Sequence, residues 1–242
     1  MSIPKIIHYC WFGKKPMPAS CNKMISSWKK HLPDYQIMRW DESSFDIEGN
    51  DYVRAAYEAG KFAFVSDYVR LYALKQYGGV YLDTDIEVLR SFDDILARYH
   101  AVFGFESEEK VMTAFIAAQA DNPIIGDFLA CYADRAFDAD HLEPNTVMLT
   151  QLLKRRGLIL ENRMQLLGDD TVVFPLDYFQ AYDFTKAALC VSEHTRTIHR
   201  CFGSWCSPRE RMVFAAKRAL GRILPEKGYS ALKRIKKRVM GE

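Results

Sequence analysis

Four charged side chains interrupt an otherwise apolar stretch, "SDYVRLYALKQYGGVYLDTD", residues 66–85. Asp67 and Arg70 stand three apart in a segment with helical spacing, so they share one face of that helix. Asp83 and Asp85 close the run "GGVYL", which has the composition of a buried strand. Alternate side chains of a strand share a face, so the two carboxylates are expected to point the same way, about 6.5–7 Å apart. Two like charges at the end of a buried strand repel and resist desolvation. A divalent cation with oxygen ligands resolves this; Mn²⁺ or Mg²⁺ suits the pair, with substrate phosphates completing the shell. Removing one charge is then expected to leave metal-free stability unchanged or to raise it. The Asp67–Arg70 pair admits two readings. One is an internal salt bridge, because buried charges are paired in any case. The other is an Asp that accepts hydrogen bonds from hydroxyls beside an Arg that grips a phosphate or sugar oxygen.

Further residues have chemistry in reach. Trp11 precedes Gly13 at the end of an apolar first segment, where it is either a core aromatic or a stacking face for a base. His194, His199, Cys201 and Cys206 cluster late in the chain, but their spacing matches no common structural zinc pattern. The six cysteines are scattered without a C-x-x-C pair and are expected to be reduced thiols.

The elements that must position these groups follow from periodicity. A buried strand is expected over 5–12, a helix over 18–32 stopped by Pro33-Asp34, and a strand at "YQIMRWD". A short helix over 51–59 closes at Gly60. Residues 61–77 give the strongest helical pattern: Phe62, Val65, Val69, Tyr72 and Ala73 share a face that Phe64, Leu71 and Leu74 widen nearly all round. Gly78-Gly79 caps that helix, and "VYLDTDIEV" reads as one strand. Strands are expected at 100–106, 111–118 and "TVVFPLDYF", and helices near 123–136 and 145–156. "RTIHRCFGSW" is a late strand or an ordered loop. Strands alternating with helices predict an α/β, Rossmann-like, mostly parallel sheet flanked by helices. Ligands of such sheets bind at the carboxyl ends of the strands, where Asp83 and Asp85 fall.

At 242 residues and 49% hydrophobic, the chain suffices for one sizeable core. Its longest runs free of Asp, Glu, Lys and Arg are ten residues, 111–120 and 144–153, too short to span a bilayer. The N-terminus shows no signal-peptide pattern, so a cytoplasmic location is expected. The net charge of +2 conceals an asymmetry. Residues 207–242 carry 11 Lys or Arg against 3 Glu, and residues 1–206 carry 22 basic against 28 acidic side chains. The expected organisation is a body of residues 1–206 and a basic, amphipathic helical tail of residues 207–242. Leu232, Ile235 and Val239 share a face of that tail, with Lys and Arg around them. An anionic membrane surface at the inner face is the expected partner of the tail, not nucleic acid.

Three stretches, "IPKIIHYCWFG", "FVSDYVRLYALKQYGGVYLDTD" and "IHRCFGSW", together resemble the DXD-containing glycosyltransferases of the sugar-binding-region type. These are glycosyltransferase family 32, with yeast-type initiating mannosyltransferases and bacterial capsule and lipopolysaccharide enzymes; the clostridial toxin glucosyltransferase domain is a more distant relative. The resemblance runs from residue 3 to about 206. It implies a GT-A fold, a nucleotide-sugar donor and a saccharide or lipid-linked acceptor, with retention of configuration and Mn²⁺ (or Mg²⁺) between diphosphate and motif. By the same resemblance Trp11 stacks on the base, Asp67 holds sugar hydroxyls, and Arg70 contacts sugar and phosphate. Asp83 reaches the ribose or metal, Asp85 ligates the metal, His199 approaches it, and Ser204 and Trp205 close over the diphosphate. A UDP-hexose is the expected donor. Two other readings stand beside this one: a metal-dependent phosphatase or phosphotransferase, suggested by "YLDTDIEV", and a non-catalytic binding domain.

Overall fold

The computed structural model describes residues 2–168, 170–183 and 188–202. Ser204, Trp205 and the expected tail lie outside the described residues.

Strand β1 (Ile6–Cys10) leads through a loop to α1 (Ala19–His31) and β2 (Gln36–Trp40). Helices α2 (Asp51–Glu58) and α3 (Phe62–Tyr77) follow, then β3 (Gly79–Leu82) and β4 (Ile86–Val88). A one-turn helix α4 (Asp93–Leu96) precedes β5 (Ala101–Ser107), β6 (Lys110–Val111) and β7 (Phe115–Ala118). Next come α5 (Pro123–Ala130), α6 (Asn145–Arg155), β8 (Gln165–Leu167), β9 (Thr171–Phe174) and the short α7 (Leu176–Phe179). The described chain ends with β10 (Tyr182–Asp183), β11 (Ala188–Leu189) and β12 (Thr197–His199).

The main sheet runs β2-β1-β3-β7-β5-β9-β8, with β6 paired to β5. Strands β1, β2, β3, β5 and β9 point one way, and β6, β7 and β8 run against them. Five of the eight strands run one way, as the expected mostly parallel sheet has it, and three antiparallel strands make the sheet mixed. β7 enters between β3 and β5, antiparallel to both. Period 2 divides the core. Tyr81, Phe103 and Phe105 pack with the buried residues of α2, α3, α5 and α6, whereas Val80, Leu82 and Val102 pack with Trp28, Ile95 and Phe179 on the other face.

The turn from α3 into β3 decides where the motif falls. Gly78 and Gly79 both have positive φ, +63° and +105°. A Cβ on Gly78 would lie 2.6 Å from the Ala120 nitrogen, and one on Gly79 would lie 2.5 Å from the Ile6 carbonyl oxygen. Only glycine lets α3 end against the sheet and the chain re-enter it at once beside β1.

Three strands read from the sequence are broken; the one expected over 111–118 is interrupted between Val111 and Phe115. "VYLDTDIEV" is not one strand. Asp83, Thr84 and Asp85 form a turn in which the Ile86 amide donates to the Asp83 carbonyl at 3.0 Å. β3 stays in the main sheet, while β4 leaves it and pairs antiparallel with β12. In "TVVFPLDYF" the strand stops at Phe174, because Pro175 cannot donate to a ladder, and α7 takes over. The helix expected over 123–136 ends earlier, at Ala130.

Candidate active site

The site lies where β3 ends at the carboxyl edge of the sheet. Asp83 and Asp85 are not brought together by strand alternation, as expected, but by the turn that separates β3 from β4. The Asp83 amide donates to the Ala114 carbonyl at 2.9 Å, which ties the turn to the residue just before β7. β12 then returns to β4 with His199 opposite Ile86, and two backbone amides clasp Asp85. Arg200 N–H donates to its carbonyl at 2.9 Å, and Phe202 N–H to its Oδ2 at 2.8 Å. One ligand atom from each of Asp83, Asp85 and His199 lies within 4.8 Å of the others. Two donors on one Mg²⁺-sized ion are at most about 4.2 Å apart, so a small rotamer adjustment closes the set. Two carboxylates suit Mn²⁺ or Mg²⁺, and the imidazole favours Mn²⁺ of the two.

Gln180 orients the imidazole. His199 Nδ1–H donates to Gln180 Oε1 at 3.0 Å, which turns Nε2 toward Asp85 Oδ1, 3.3 Å away. A metal-binding His is held in this way, with one nitrogen fixed and the other presented. Burial opposes a charge on His199, but Cys201 and Asp85 beside it outweigh burial and raise its pKa well above the ordinary value. Burial likewise opposes a charge on Asp85, yet His199 and the Phe202 amide hold its carboxyl below the usual range.

The expected repulsion between the two carboxylates is thus already met within the chain. Asp85 has His199, and Asp83 has Arg70 Nη2 at 3.5 Å and the Tyr81 hydroxyl at 2.8 Å. Arg70 is 4% exposed and its donors are committed. Nη2 reaches Asp67 Oδ1 at 2.9 Å, Nη1 the Thr113 carbonyl at 2.8 Å, and Nε the Ser66 carbonyl at 3.1 Å. Its guanidinium carbon sits 4.5 Å from the centre of the Tyr81 ring, the geometry of a cation–π contact. The internal salt bridge therefore forms, and it continues to Asp83. Asp67 Oδ1 also accepts from Asn145 Nδ2 at 2.8 Å. Burial pushes the Asp67 carboxyl up to about 7, against the pull of Arg70.

Trp11 directly follows β1 and is half-buried; its indole N–H donates to the Lys15 carbonyl at 2.7 Å. Sequence reasoning did not single out Asn145, Gln180 or Glu106. Glu106 is half-buried near the end of β5, and burial raises its carboxyl above the usual range, with His199 and Asp83 near enough for their charges to act on it. Thr113 and Asn145 fall inside the two charge-free runs 111–120 and 144–153. A polar side chain in such a run must find a buried partner, and that was the available signal.

Residues 18–102 match the family model described as "Glycosyltransferase sugar-binding region containing DXD motif". Over 102 residues the chain is 32% identical to "Inositol phosphoceramide mannosyltransferase 3" of Schizosaccharomyces pombe, covering 39% of this chain and 28% of that protein. Over 125 residues it is 30% identical to "Glucan organizing enzyme 1" of Cryptococcus neoformans, covering 48% of this chain and 32% of that protein. The matched stretch is thus less than a third of either relative. Among solved structures, "PaToxG Glycosyltransferase" superposes with a TM-score of 0.53 at 21% identity, covering 64% of this chain and 69% of that one. The fold is of the GT-A type, as the sequence resemblance implied. The DXD of the matched region is Asp83–Thr84–Asp85.

Proposed function

We propose that this protein is a metal-dependent, configuration-retaining glycosyltransferase. It moves a hexose from a nucleotide sugar to a saccharide or lipid-linked saccharide in surface polysaccharide synthesis. The observation that carries this reading is the junction of the DXD carboxylates, His199 and the buried Asp67–Arg70 pair at the edge of the sheet. A phosphatase needs no buried Asp–Arg–Asn cluster for sugar hydroxyls, and a binding domain needs no set of metal donors.

Each residue has a part. Asp83, Asp85 and His199 would hold Mn²⁺ or Mg²⁺, which would supply positive charge beside a departing diphosphate. Gln180 keeps the His199 ring turned toward that set. Arg70 adds a fixed positive charge beside Asp83, and a preorganised charge stabilises a growing anion without reorganisation. Asp67 accepts hydroxyls of the donor sugar, and Trp11 offers its ring to the base. Ser204 and Trp205 are proposed as diphosphate contacts on the resemblance alone. A UDP-hexose is the leading donor. The name of the S. pombe relative, which specifies mannose and a ceramide-linked acceptor, puts GDP-mannose and lipid-linked acceptors in the same screen. The proposed place of action is the cytoplasmic face of a membrane; among the described residues no helix is long and apolar enough to cross one.

The test is a thermal-shift and calorimetric screen of UDP-glucose, UDP-galactose, UDP-N-acetylglucosamine and GDP-mannose, with and without Mn²⁺. A true donor at 100 times its Kd stabilises the fold by about 2.7 kcal/mol, and Mn²⁺ is needed for that effect. If no nucleotide sugar binds under either condition, the glycosyltransferase reading falls.

A further inference from the structure

The buried cluster behind Asp67 has a direction. The Thr113 hydroxyl donates to Asn145 Oδ1 at 2.7 Å. With its oxygen occupied, the Asn145 amide presents Nδ2 to Asp67 Oδ1 at 2.8 Å. That same oxygen takes Arg70 Nη2 at 2.9 Å, and Arg70 Nη1 returns to the Thr113 carbonyl at 2.8 Å. The four residues close a ring that joins α3, the segment before β7 and the first turn of α6. Thr113 is 5% exposed, Asn145 4% and Asp67 9%, so this is an interior network. A second tie fixes α6 in place: the Val111 amide donates to Thr150 Oγ1 at 3.0 Å.

The ring consumes one carboxylate oxygen and spares the other. Asp67 Oδ1 receives both internal donors, and Oδ2 receives none among the described residues. A nine-tenths-buried carboxylate with one open acceptor can take hydroxyl donors through that oxygen only. Its direction is set by Arg70 and Asn145 together, and the Asn145 amide is held in place by the Thr113 hydroxyl at its oxygen.

We infer that Thr113 and Asn145 are positioning residues for recognition of the donor sugar: they turn Asp67 so that Oδ2 alone faces the sugar hydroxyls. This rests on the glycosyltransferase reading above. It places sugar discrimination on two uncharged side chains outside the DXD-bearing segment. They act on the sugar and not on the nucleotide, because Trp11 and the metal donors belong to other elements.

The experiment compares each nucleotide sugar of the screen with its matching nucleoside diphosphate, by calorimetry with Mn²⁺ present, in wild type and four variants. Thr113→Val keeps the shape and removes the hydroxyl donor, while Thr113→Ser keeps the hydroxyl. Asn145→Ala removes the amide, and Asn145→Asp sets an acceptor against an acceptor. Thr113→Val, Asn145→Ala and Asn145→Asp are expected to weaken nucleotide-sugar binding tenfold or more and to leave UDP or GDP binding within twofold. Thr113→Ser is expected to bind both within threefold of wild type. Equal losses for sugar-bearing and sugar-free nucleotides would reduce the ring to a structural brace and overturn the inference, as would unchanged sugar binding. If Thr113→Val folds poorly, the contrast between Asn145→Asp and wild type decides by the same ratio. A wild type that binds nucleoside diphosphates but no nucleotide sugar overturns the inference together with the function it rests on. A wild type that binds both, with variants that lose both equally, overturns the inference alone.

Discussion

Asp85 is held by an amide from Phe202, 117 positions later, and by an imidazole 3.3 Å away. Its carboxylate is therefore a joint between β4 and β12 as well as a proposed metal donor. Asp85→Asn is expected to abolish transfer and to cost about 1.5–3 kcal/mol of metal-free stability at pH 7, the range for a hydrogen bond to a charged group. Urea unfolding without metal measures this; stability unchanged or higher would mean that the two carboxylates merely repel, as their sequence suggested. Asp67 leads to a prediction in pH. Its carboxyl rises from 3.8 to about 7 on folding, mainly through burial. Between those values the unfolded chain has released the proton and the folded chain still holds it, so this group's contribution falls as pH rises from about 4 to about 7 and is flat above. At about 1.4 kcal/mol for each pH unit, the total is on the order of 4 kcal/mol. The stability of Asp67→Asn relative to wild type should therefore climb between pH 4.5 and pH 8, whatever fixed cost the variant carries from leaving Arg70 without its partner. A difference independent of pH would show that Arg70 and Asn145 keep Asp67 ionised throughout. In the transfer reaction the sign is reversed, because an ionised Asp67 is the better acceptor of hydroxyls: activity should rise through about pH 7.

The element that sets the geometry is the passage from α3 to β3. Gly79 has φ +105° with the Ile6 carbonyl oxygen 2.5 Å from where a Cβ would stand, whereas Gly60 has φ +67° and open space around it. Both substitutions to Ala strain the backbone, but only one meets another strand. Gly79→Ala is expected to cost more than about 2 kcal/mol, and Gly60→Ala about 1 kcal/mol; equal costs in denaturant melts would remove the close approach to β1 as the reason. Element existence was legible where periodicity is long: α3 and β1 stand within a few residues of where apolar spacing puts them. The break at Asp83–Asp85 was not. Apolar residues on either side of "DTD" stay in phase, and the cause of the break, pairing of β4 with β12, lies over a hundred residues away. For the same reason His199 could be assigned to the Asp83–Asp85 site by resemblance alone, since nothing local to "TIHRC" shows that it faces Asp85. The run 111–120 reported burial but not direction, so the antiparallel entry of β7 was invisible as well. Pro175 was a visible signal, and it marks where the strand expected over 171–179 gives way to α7.

At the scale of the whole molecule, charge separates along the chain. Residues 207–242 hold 11 basic against 3 acidic side chains, while residues 1–206 hold 22 against 28. A solvated tail on an acidic body would bind that body or nothing. A tail that serves an enzyme acting on lipid-linked acceptors gains from an anionic leaflet, at about 1 kcal/mol for each basic residue near the surface. The pattern "SALKRIKKRVM" favours the leaflet, because Leu232, Ile235 and Val239 would enter the interface while the surrounding Lys and Arg meet headgroups. Such binding is reversible and screened, since the Debye length shrinks to about 3 Å at 1 M salt. The full chain should therefore sediment with phosphatidylserine-containing vesicles at low ionic strength, ignore purely zwitterionic ones, and be released by molar salt. A chain ending at Leu224 retains the described body and should bind the same nucleotide sugar with unchanged affinity, yet stay in the supernatant. If the shortened chain sediments equally well, residues 225–242 are not what meets the membrane. If the full chain ignores anionic vesicles at low salt, the charge asymmetry serves contacts within the protein and the membrane proposal is wrong.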